Sequence, residues 1–464
     1  MKTIFKNYRY LVIIGFSVIA CGGKKEKSEV KETALTSGKP NIVLLFVDDW
    51  GWADVGFRNP IFHTPNIDQL KKDGLNFERA YIATPTCSPS RASLLTGKEP
   101  VRFQMTRHII DNKEKEAQGD GNEEFNLWPK DPVQRPSRNW LPLEEVTYAE
   151  RLKEFGYYNM FIGKWHLGDA KYHPIQHGFD AQFGTTNAGH PRSYYPPFFK
   201  PEQDPMGFAN DYEEDYLTDV LTGGAEKFIS EYNEDQPFML SMWYYNVHGP
   251  FVGRKDWLEK YKADGLEGDY AEYAAMVSAM DESVGRVRKA LEQKGISENT
   301  VVLLLSDQGG KFSNAPLSGG KIGNTLGEGG ARVPFIVNYP GITKSGSTTD
   351  TPVQSLDLYP TLVEIASGKE CTDKQINGKS IMPLLKGEKM APRNMYFFRS
   401  YEGQYTSVIK GDWKLVKYHS GKFQLFNVSK DISEENNLIN VDLQNAEVLK
   451  AELLRWENDA VPRF

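Results

Sequence analysis

The stretch NIVLLFVDD, residues 41–49, carries seven residues without a charge and then two adjacent carboxylates, Asp48 and Asp49. A second run, TVVLLLSDQ at 300–308, has the same design and ends in Asp307 and Gln308. Strands that are apolar throughout, rather than alternating with polar residues, suit a parallel sheet covered on both faces. Helix patterns lie between them at 64–73, with Thr64 as cap and Pro65 at the first helical position, and at 147–155, 215–232 and 269–294. The predicted fold is α/β: a large, mostly parallel sheet covered by helices on both faces. Ligands of such open sheets sit beyond the carboxyl ends of the strands, so the two acidic pairs are expected to converge.

From about residue 390 the texture changes to short alternating runs, MYFFRS, YTSVIKG, DWKLVKY and KFQLFNV, followed by a helical stretch from Leu443 to Trp456. This predicts a smaller antiparallel sheet with a terminal helix. The expected division is a main domain over 39–389 and a C-terminal subdomain over 390–464. The segment from Gln104 to Trp140 is charged and lacks periodicity, which marks it as a functional loop or insertion rather than core.

With 464 residues, 39% of them hydrophobic and 12% aromatic, the chain is expected to fold around a large core. Its net charge of -7 gives no support to a general nucleic-acid surface, and no nucleic-acid partner is expected. Residues 1–20 have a basic front (Lys2, Lys6, Arg9) and an apolar run from Leu11 to Ala20, shorter than the ~20 residues a spanning helix needs. They read as an export signal. The following Cys21-Gly22-Gly23 and the polar tether over 21–38 are similar to a bacterial lipoprotein signal, which implies lipidation of Cys21. The expected location is the bacterial cell envelope, anchored to a membrane at the outer membrane or periplasmic face. A plain secretory signal, delivering the protein to the periplasm, is the alternative.

Asp48, Asp49, Asp307 and Gln308 offer only oxygen ligands, the preference of a hard cation, and Ca²⁺ fits best. Without Cys21, the chain has only Cys87 and Cys371, at most one bridge. Cys371 reads as a buried hydrophobe or a loop residue. Cys87, in TPTCSPSRASLLTG over 84–97, precedes a helix whose free N–H groups favour an anion and a lowered thiol pKa, with Arg91 one turn on. From the residues alone it is a small buried hydrophobe or a thiolate nucleophile.

The pattern Cys87-Ser88-Pro89-Ser90-Arg91 resembles the signature of type I sulfatases, in the alkaline-phosphatase-like superfamily. In that family the cysteine is oxidised before folding to formylglycine, which implies a formylglycine-generating or sulfatase-maturating enzyme as a partner. The resemblance runs over residues 39–430. Asp48 and Asp49 in FVDDWGWADVG match the first metal pair, Thr64-Pro65-Asn66-Ile67-Asp68 the following helix start, and Gly97-Lys98 the end of the signature. Lys164 and His166 in GKWHLG, His248 in YYNVHGPF and Lys321 in PLSGGKIGN match the residues around the sulfate. Asp307 and Gln308 match the second metal pair, although Gln308 stands where Asn is common and Ser318 where a basic residue is common.

The resemblance implies one Ca²⁺ held by Asp48, Asp49, Asp307, Gln308 and residue 87, whose hydrated aldehyde attacks sulfur. It implies that Arg91 orients the diol and that Lys164, Lys321 and His248 bind the sulfate. His248 is then the general acid for the leaving alcohol, while His166 helps deprotonate the second hydroxyl. A phosphatase or phosphodiesterase of the same superfamily is the alternative enzyme, but it needs histidine ligands beside the second strand end. A non-catalytic glycan-binding lipoprotein is the alternative outside catalysis. The expected substrate is a sulfated polysaccharide or its oligosaccharides, ulvan first and carrageenan or glycosaminoglycan next, and the look is that of Bacteroidota polysaccharide degraders. Arg107, His108, His190 and Arg192, with Tyr194 and Tyr195 beside them, are residue types suited to sugar contact or to ordinary surface loops.

Overall fold

The computed structural model describes residues 38–110, 124–128, 131–132 and 135–461. The export signal, the tether and Cys21 lie outside the described residues, as does much of the segment between Gln104 and Trp140. Among the described residues no helix is long and apolar enough to cross a membrane.

The main sheet has eight strands: β1 (Asn41–Val47), β2 (Leu75–Phe77), β3 (Tyr158–Gly163), β4 (Ala181–Phe183), β5 (Phe238–Trp243), β6 (Thr300–Ser306), β7 (Phe335–Asn338) and β8 (Ser347–Thr349). Their order across the sheet is β8-β2-β7-β6-β1-β5-β3-β4. The central run from β6 to β4 is parallel throughout, β8 pairs parallel with β2, and β7 alone opposes its neighbours. The mostly parallel sheet read from residues 41–49 and 300–308 is thus observed.

Side chains of β1 alternate between two cores, which is why the strand needs no polar position. Val43, Leu45 and Val47 join one core with helices α1 (Pro65–Asp73), α4 (Leu217–Glu231) and α5 (Gly268–Lys294). Ile42, Leu44 and Phe46 join the other with α2 (Cys87–Thr96), α3 (Tyr148–Glu154) and α6 (Leu358–Ser367). Burying each such side chain contributes about 1.5–3 kcal/mol, so β1 and its exit are firmly fixed. Helix α3 starts where the sequence predicts, because Thr147 and Glu150 form a capping box.

The C-terminal sheet runs β9 (Asn394–Phe398), β10 (Gln404–Lys410), β11 (Trp413–Tyr418) and β12 (Phe423–Asn427), antiparallel and in sequence order. Helix α7 (Leu443–Ala460) packs Leu449, Leu453 and Trp456 onto its Val408, Leu415 and Leu425.

Candidate active site

Four adjacent parallel strands end at the same edge of the sheet, and each delivers site residues there. Asp48 and Asp49 follow β1, Asp307 and Gln308 follow β6, Lys164 and His166 follow β3, and His248 follows β5. The two acidic pairs are in contact: the Asp49 amide donates to Asp307 Oδ1 at 3.1 Å. Asp49 reaches this position with φ of 60°, a left-handed conformation unusual for a residue other than glycine or asparagine. The Trp50 amide donates to Ser306 Oγ at 3.0 Å, a second tie between the two strand ends.

Helix α2 begins with Cys87 against this cluster, and its glycine stop, Gly97, is left-handed at φ 65°. Every residue of α2 is buried. Arg91 lies wholly inside, donating to Asp307 Oδ2 at 2.9 Å and to the Lys164 carbonyl at 2.9 Å, with Asp48 Oδ1 at 3.6 Å. The Lys164 ammonium pairs with Asp48 Oδ2, and the Lys321 ammonium pairs with Asp49 Oδ2. Lys321 is itself held by its amide, which donates to the Gly310 carbonyl at 3.0 Å. Gln308 Nε2 donates to Asp49 Oδ1 at 2.6 Å and to Cys87 Sγ at 3.2 Å.

This arrangement fits a hard divalent cation. The ligand atoms of Asp48, Cys87 and Asp307 lie within 4.8 Å of one another, as do those of Asp49, Cys87 and His248. Asp48 Oδ1 is buried without a hydrogen-bond partner. A half-turn of the Gln308 amide would bring its carbonyl oxygen to the cluster, so that Asp48, Asp49, Asp307 and Gln308 together offer oxygen ligands.

The electrostatics describe a site under like-charge tension. Burial pushes the Asp48 carboxyl up, but attraction to Lys164, His248 and Arg91 outweighs it and holds the group far below the usual range. Burial raises Asp49 against the pull of Lys321, and burial plus the Asp48 charge raises Asp307 well above the ordinary value. The Cys87 thiol is pushed up to about 11, by burial first and then by the three carboxylates that oppose Lys164. This corrects the lowered pKa expected from the helix N-terminus. Burial, with the three carboxylates beside it, favours the neutral thiol in an unmodified residue 87.

The two histidines are fixed in complementary tautomers. His166, at φ 57°, makes its 2.7 Å bond to the Ile109 carbonyl through Nε2, which must therefore carry the proton. Its Nδ1 is buried, unprotonated and without a partner. His248 gives its Nδ1 proton to the Gly249 carbonyl at 2.6 Å and turns Nε2 toward Asp49 Oδ2, 3.7 Å away. Burial, then Lys164 for His166 and Lys321 for His248, keeps both rings well below the normal imidazole pKa.

The residues considered for sugar contact divide. His190 is exposed and stacks on His248, with ring centroids 5.3 Å apart and planes 2° from parallel. Arg192 is exposed two residues on. His108 is half-buried, its imidazole held down to about 3 by burial and by the charges of Arg107, Arg399, Lys321 and Lys164. Arg107 is buried between the Trp128 and Tyr401 rings, 3.7 and 3.9 Å from their centroids, and pairs with Asp131 at 3.3 Å. Tyr194 is a core residue whose hydroxyl donates to the His248 carbonyl at 2.8 Å, and Tyr195 Oη accepts from the Lys255 amide. Ser318 donates to Glu434.

Three features of the site had no signal in the sequence. The Ile109 carbonyl sets the His166 tautomer, and Gly189 lies so close to that ring that a Cβ would stand 2.5 Å from Nε2. Arg399 and Tyr401, in the loop between β9 and β10, reach the residues just before Cys87.

A carboxylate cluster suited to a divalent ion, with buried cations placed for an anionic ester and a signature cysteine at its centre, defines a hydrolase of charged esters. The family is settled by comparison. The sulfatase family profile matches residues 40–368, and that of the N-sulphoglucosamine sulphohydrolase C-terminal region matches 325–458. The chain belongs to the sulfatase family and is a sulfuric ester hydrolase. It is 32% identical to N-acetylgalactosamine-6-sulfatase of Mus musculus over 387 residues, 78% of this chain and 69% of that protein. A sulfatase of Formosa agariphila is 28% identical and matches 95% of this chain and 90% of its own. The solved structure of Ps i-CgsB in complex with k-i-k-neocarrahexaose superposes with a TM-score of 0.77 at 31% identity, covering 91% of this chain and 94% of that one.

Proposed function

We propose that the protein hydrolyses sulfate esters of a sulfated polysaccharide or its oligosaccharides, with residue 87 as formylglycine beside one Ca²⁺. The observation that carries this is Cys87 at the buried start of α2, within reach of both acidic pairs. Hydrated by water to a geminal diol, formylglycine would supply one hydroxyl as nucleophile for sulfur and a second whose deprotonation expels sulfate and restores the aldehyde, and the cation would withdraw charge from the oxygens around it.

The chain's own residues then divide the work. Asp48, Asp49, Asp307 and the Gln308 oxygen hold the ion. Lys164 and Lys321, each lying on one of these carboxylates, supply positive charge where the sulfate oxygens sit. Arg91 locks Asp307 and the Lys164 backbone together and orients the oxygens of residue 87. The free Nδ1 of His166 is an acceptor for the proton of the second hydroxyl. His248 must be protonated at Nε2 to serve the leaving alcohol, and a bound anionic ester favours that charged form.

Carbohydrate is favoured because the relatives at 31–32% identity are named for N-acetylgalactosamine 6-sulfate or solved with neocarrahexaose. Carrageenan oligosaccharides therefore stand beside ulvan among the substrates to be tried first. Maturation by a formylglycine-generating or sulfatase-maturating enzyme, export with a lipid anchor at Cys21, and the domain division at 389/390 complete the proposal. These rest on the sequence features alone. Mass spectrometry of the residue 87 peptide from a maturation-competent host, paired with sulfate release across defined oligosaccharides, tests the function. An aldehyde and release from at least one oligosaccharide are expected; unmodified cysteine and no release would overturn it in favour of a glycan-binding protein.

A further inference from the structure

Thr86 is the residue before Cys87 and the N-cap of α2, yet its hydroxyl caps nothing in the helix. An N-cap threonine ordinarily accepts a hydrogen bond from the second or third helical N–H. Here the Oγ1 is turned the other way, onto the loop between β9 and β10. Arg399 donates to Thr86 Oγ1 and to the Pro85 carbonyl, and Tyr401 Oη lies 3.0 Å from the same Oγ1. Arg399 is buried, and its guanidinium lies over the Tyr401 ring at 4.0 Å. The Arg107 guanidinium lies 3.9 Å from the centroid of the same ring.

The same loop grips a second wall of the site. Glu402 Oε2 accepts from Thr325 N at 3.2 Å and Thr325 Oγ1 at 3.0 Å, while its Oε1 accepts from Arg399 at 3.0 Å. Gln404 Oε1 accepts from the Leu326 amide at 2.8 Å. Thr325 and Leu326 lie four and five residues beyond Lys321. One loop of the C-terminal sheet thus fixes the backbone entering residue 87 and the segment that carries Lys321.

We propose that Arg399, Tyr401 and Glu402 are positioning residues for the sulfatase reaction. They set the nucleophile at residue 87 relative to Lys321, Arg399 and Tyr401 acting through Thr86 and Glu402 through Thr325. This rests on the reading of residue 87 as the nucleophile. None of the three need touch the sulfate, so their effect belongs in the rate of the bound complex rather than in binding. Misplacing a reacting atom by about 1 Å can lower a rate on the order of a hundredfold, which bounds the effect of removing Arg399.

The test uses full-length matured protein with a small aryl sulfate, which has no sugar to contact the loop. Formylglycine content and Tm are measured for each variant. Arg399→Ala is expected to lower kcat by on the order of tenfold to a hundredfold with KM nearly unchanged, and Arg399→Lys to recover part of it. Thr86→Val and Tyr401→Phe each remove one hydroxyl and are expected to lower kcat several-fold. Their double variant should be little worse than the stronger single one, because the two changes delete one shared contact. These two variants keep the test open if Arg399→Ala does not fold. Folded, aldehyde-bearing variants with wild-type kcat, or losses confined to KM, would overturn the positioning role while an active wild type leaves the function standing. An aldehyde-bearing wild type that releases no sulfate from any ester removes both.

Discussion

Two clusters of buried charge flank the loop that carries Lys321, and they are built on opposite rules. One is the site itself, where Asp48, Asp49 and Asp307 meet Arg91, Lys164 and Lys321. The other joins the loop to the C-terminal sheet through Glu328, Glu434, Lys414, Arg332 and Tyr81. Lys414 Nζ lies 3.0 Å from Glu328 Oε1 and 2.9 Å from Glu434 Oε1, Tyr81 donates to Glu328 Oε2 at 2.8 Å, and the Glu328 amide donates to Glu434 Oε2 at 2.8 Å. No polar side-chain atom of these five residues is buried without a partner, whereas Asp48 Oδ1, Arg91 Nε and His166 Nδ1 are.

The pKa directions say the same thing. Burial raises Glu328, but Lys414 and Arg332 prevail and hold it below its ordinary value, so this fold prefers the charge. In the site the acids divide: Lys164 and Arg91 hold Asp48 down, while burial and neighbouring carboxylates push Asp49 and Asp307 up, so the fold alone disfavours the charge on those two. A buried ion network that satisfies itself is scaffold. One that keeps its acids in tension is arranged for a further positive charge.

The contrast breaks if neutral isosteres behave alike in the two clusters. Asp307→Asn is expected to lower kcat/KM on any sulfate ester by about 10⁴-fold, ~5.5 kcal/mol, with a Tm close to that of the chelated wild type. An active enzyme after this change would remove Asp307 from the ion's ligands. Glu328→Gln should do the reverse, because its charged form is the stabilised one: unfolding free energy falls by about 3–5 kcal/mol in denaturant titrations, while kcat per folded molecule changes little. Chelation sharpens the comparison. If the proposed Ca²⁺ is present at about 100 times its Kd, it is expected to stabilise wild-type protein by about 2.7 kcal/mol, read as a Tm drop on adding chelator. Asp307→Asn should show no such drop and Glu328→Gln the full one; equal drops in both would place the ion elsewhere.

The difference between the clusters also explains what the sequence could disclose. Asp48, Asp49, Asp307 and Gln308 were legible because apolar strands that end in acid are unusual, and parallel strands must end together. The signature around Cys87 and the GKWHLG and NVHG motifs were legible because their chemistry restricts residue type. Strands β3 and β5 were missed although YNMFIG and FMLSMW are apolar runs of strand length. The opposed strand β7 is short and has no pattern that gives its direction. Glu434, Lys414 and Arg399 were invisible for a different reason: each acts through a partner tens or hundreds of positions away, and a lone charged residue reads as surface.

Ser318 stands where the two clusters meet, and it supplies the smallest and most discriminating expectation. Its position on the Lys321 loop, three residues before that lysine, invites a role in substrate contact. Yet its hydroxyl donates to Glu434, and its carbonyl accepts from the Gly329 amide at 2.6 Å, so both of its polar groups belong to the scaffold. Replacing it by alanine removes one donor and leaves Glu434 with the Glu328 amide and Lys414. Ser318→Ala should therefore lower unfolding free energy by about 1 kcal/mol and leave kcat/KM within a few-fold on aryl and sugar sulfates alike. A tenfold loss confined to the oligosaccharide would move Ser318 out of the scaffold and into the substrate's reach.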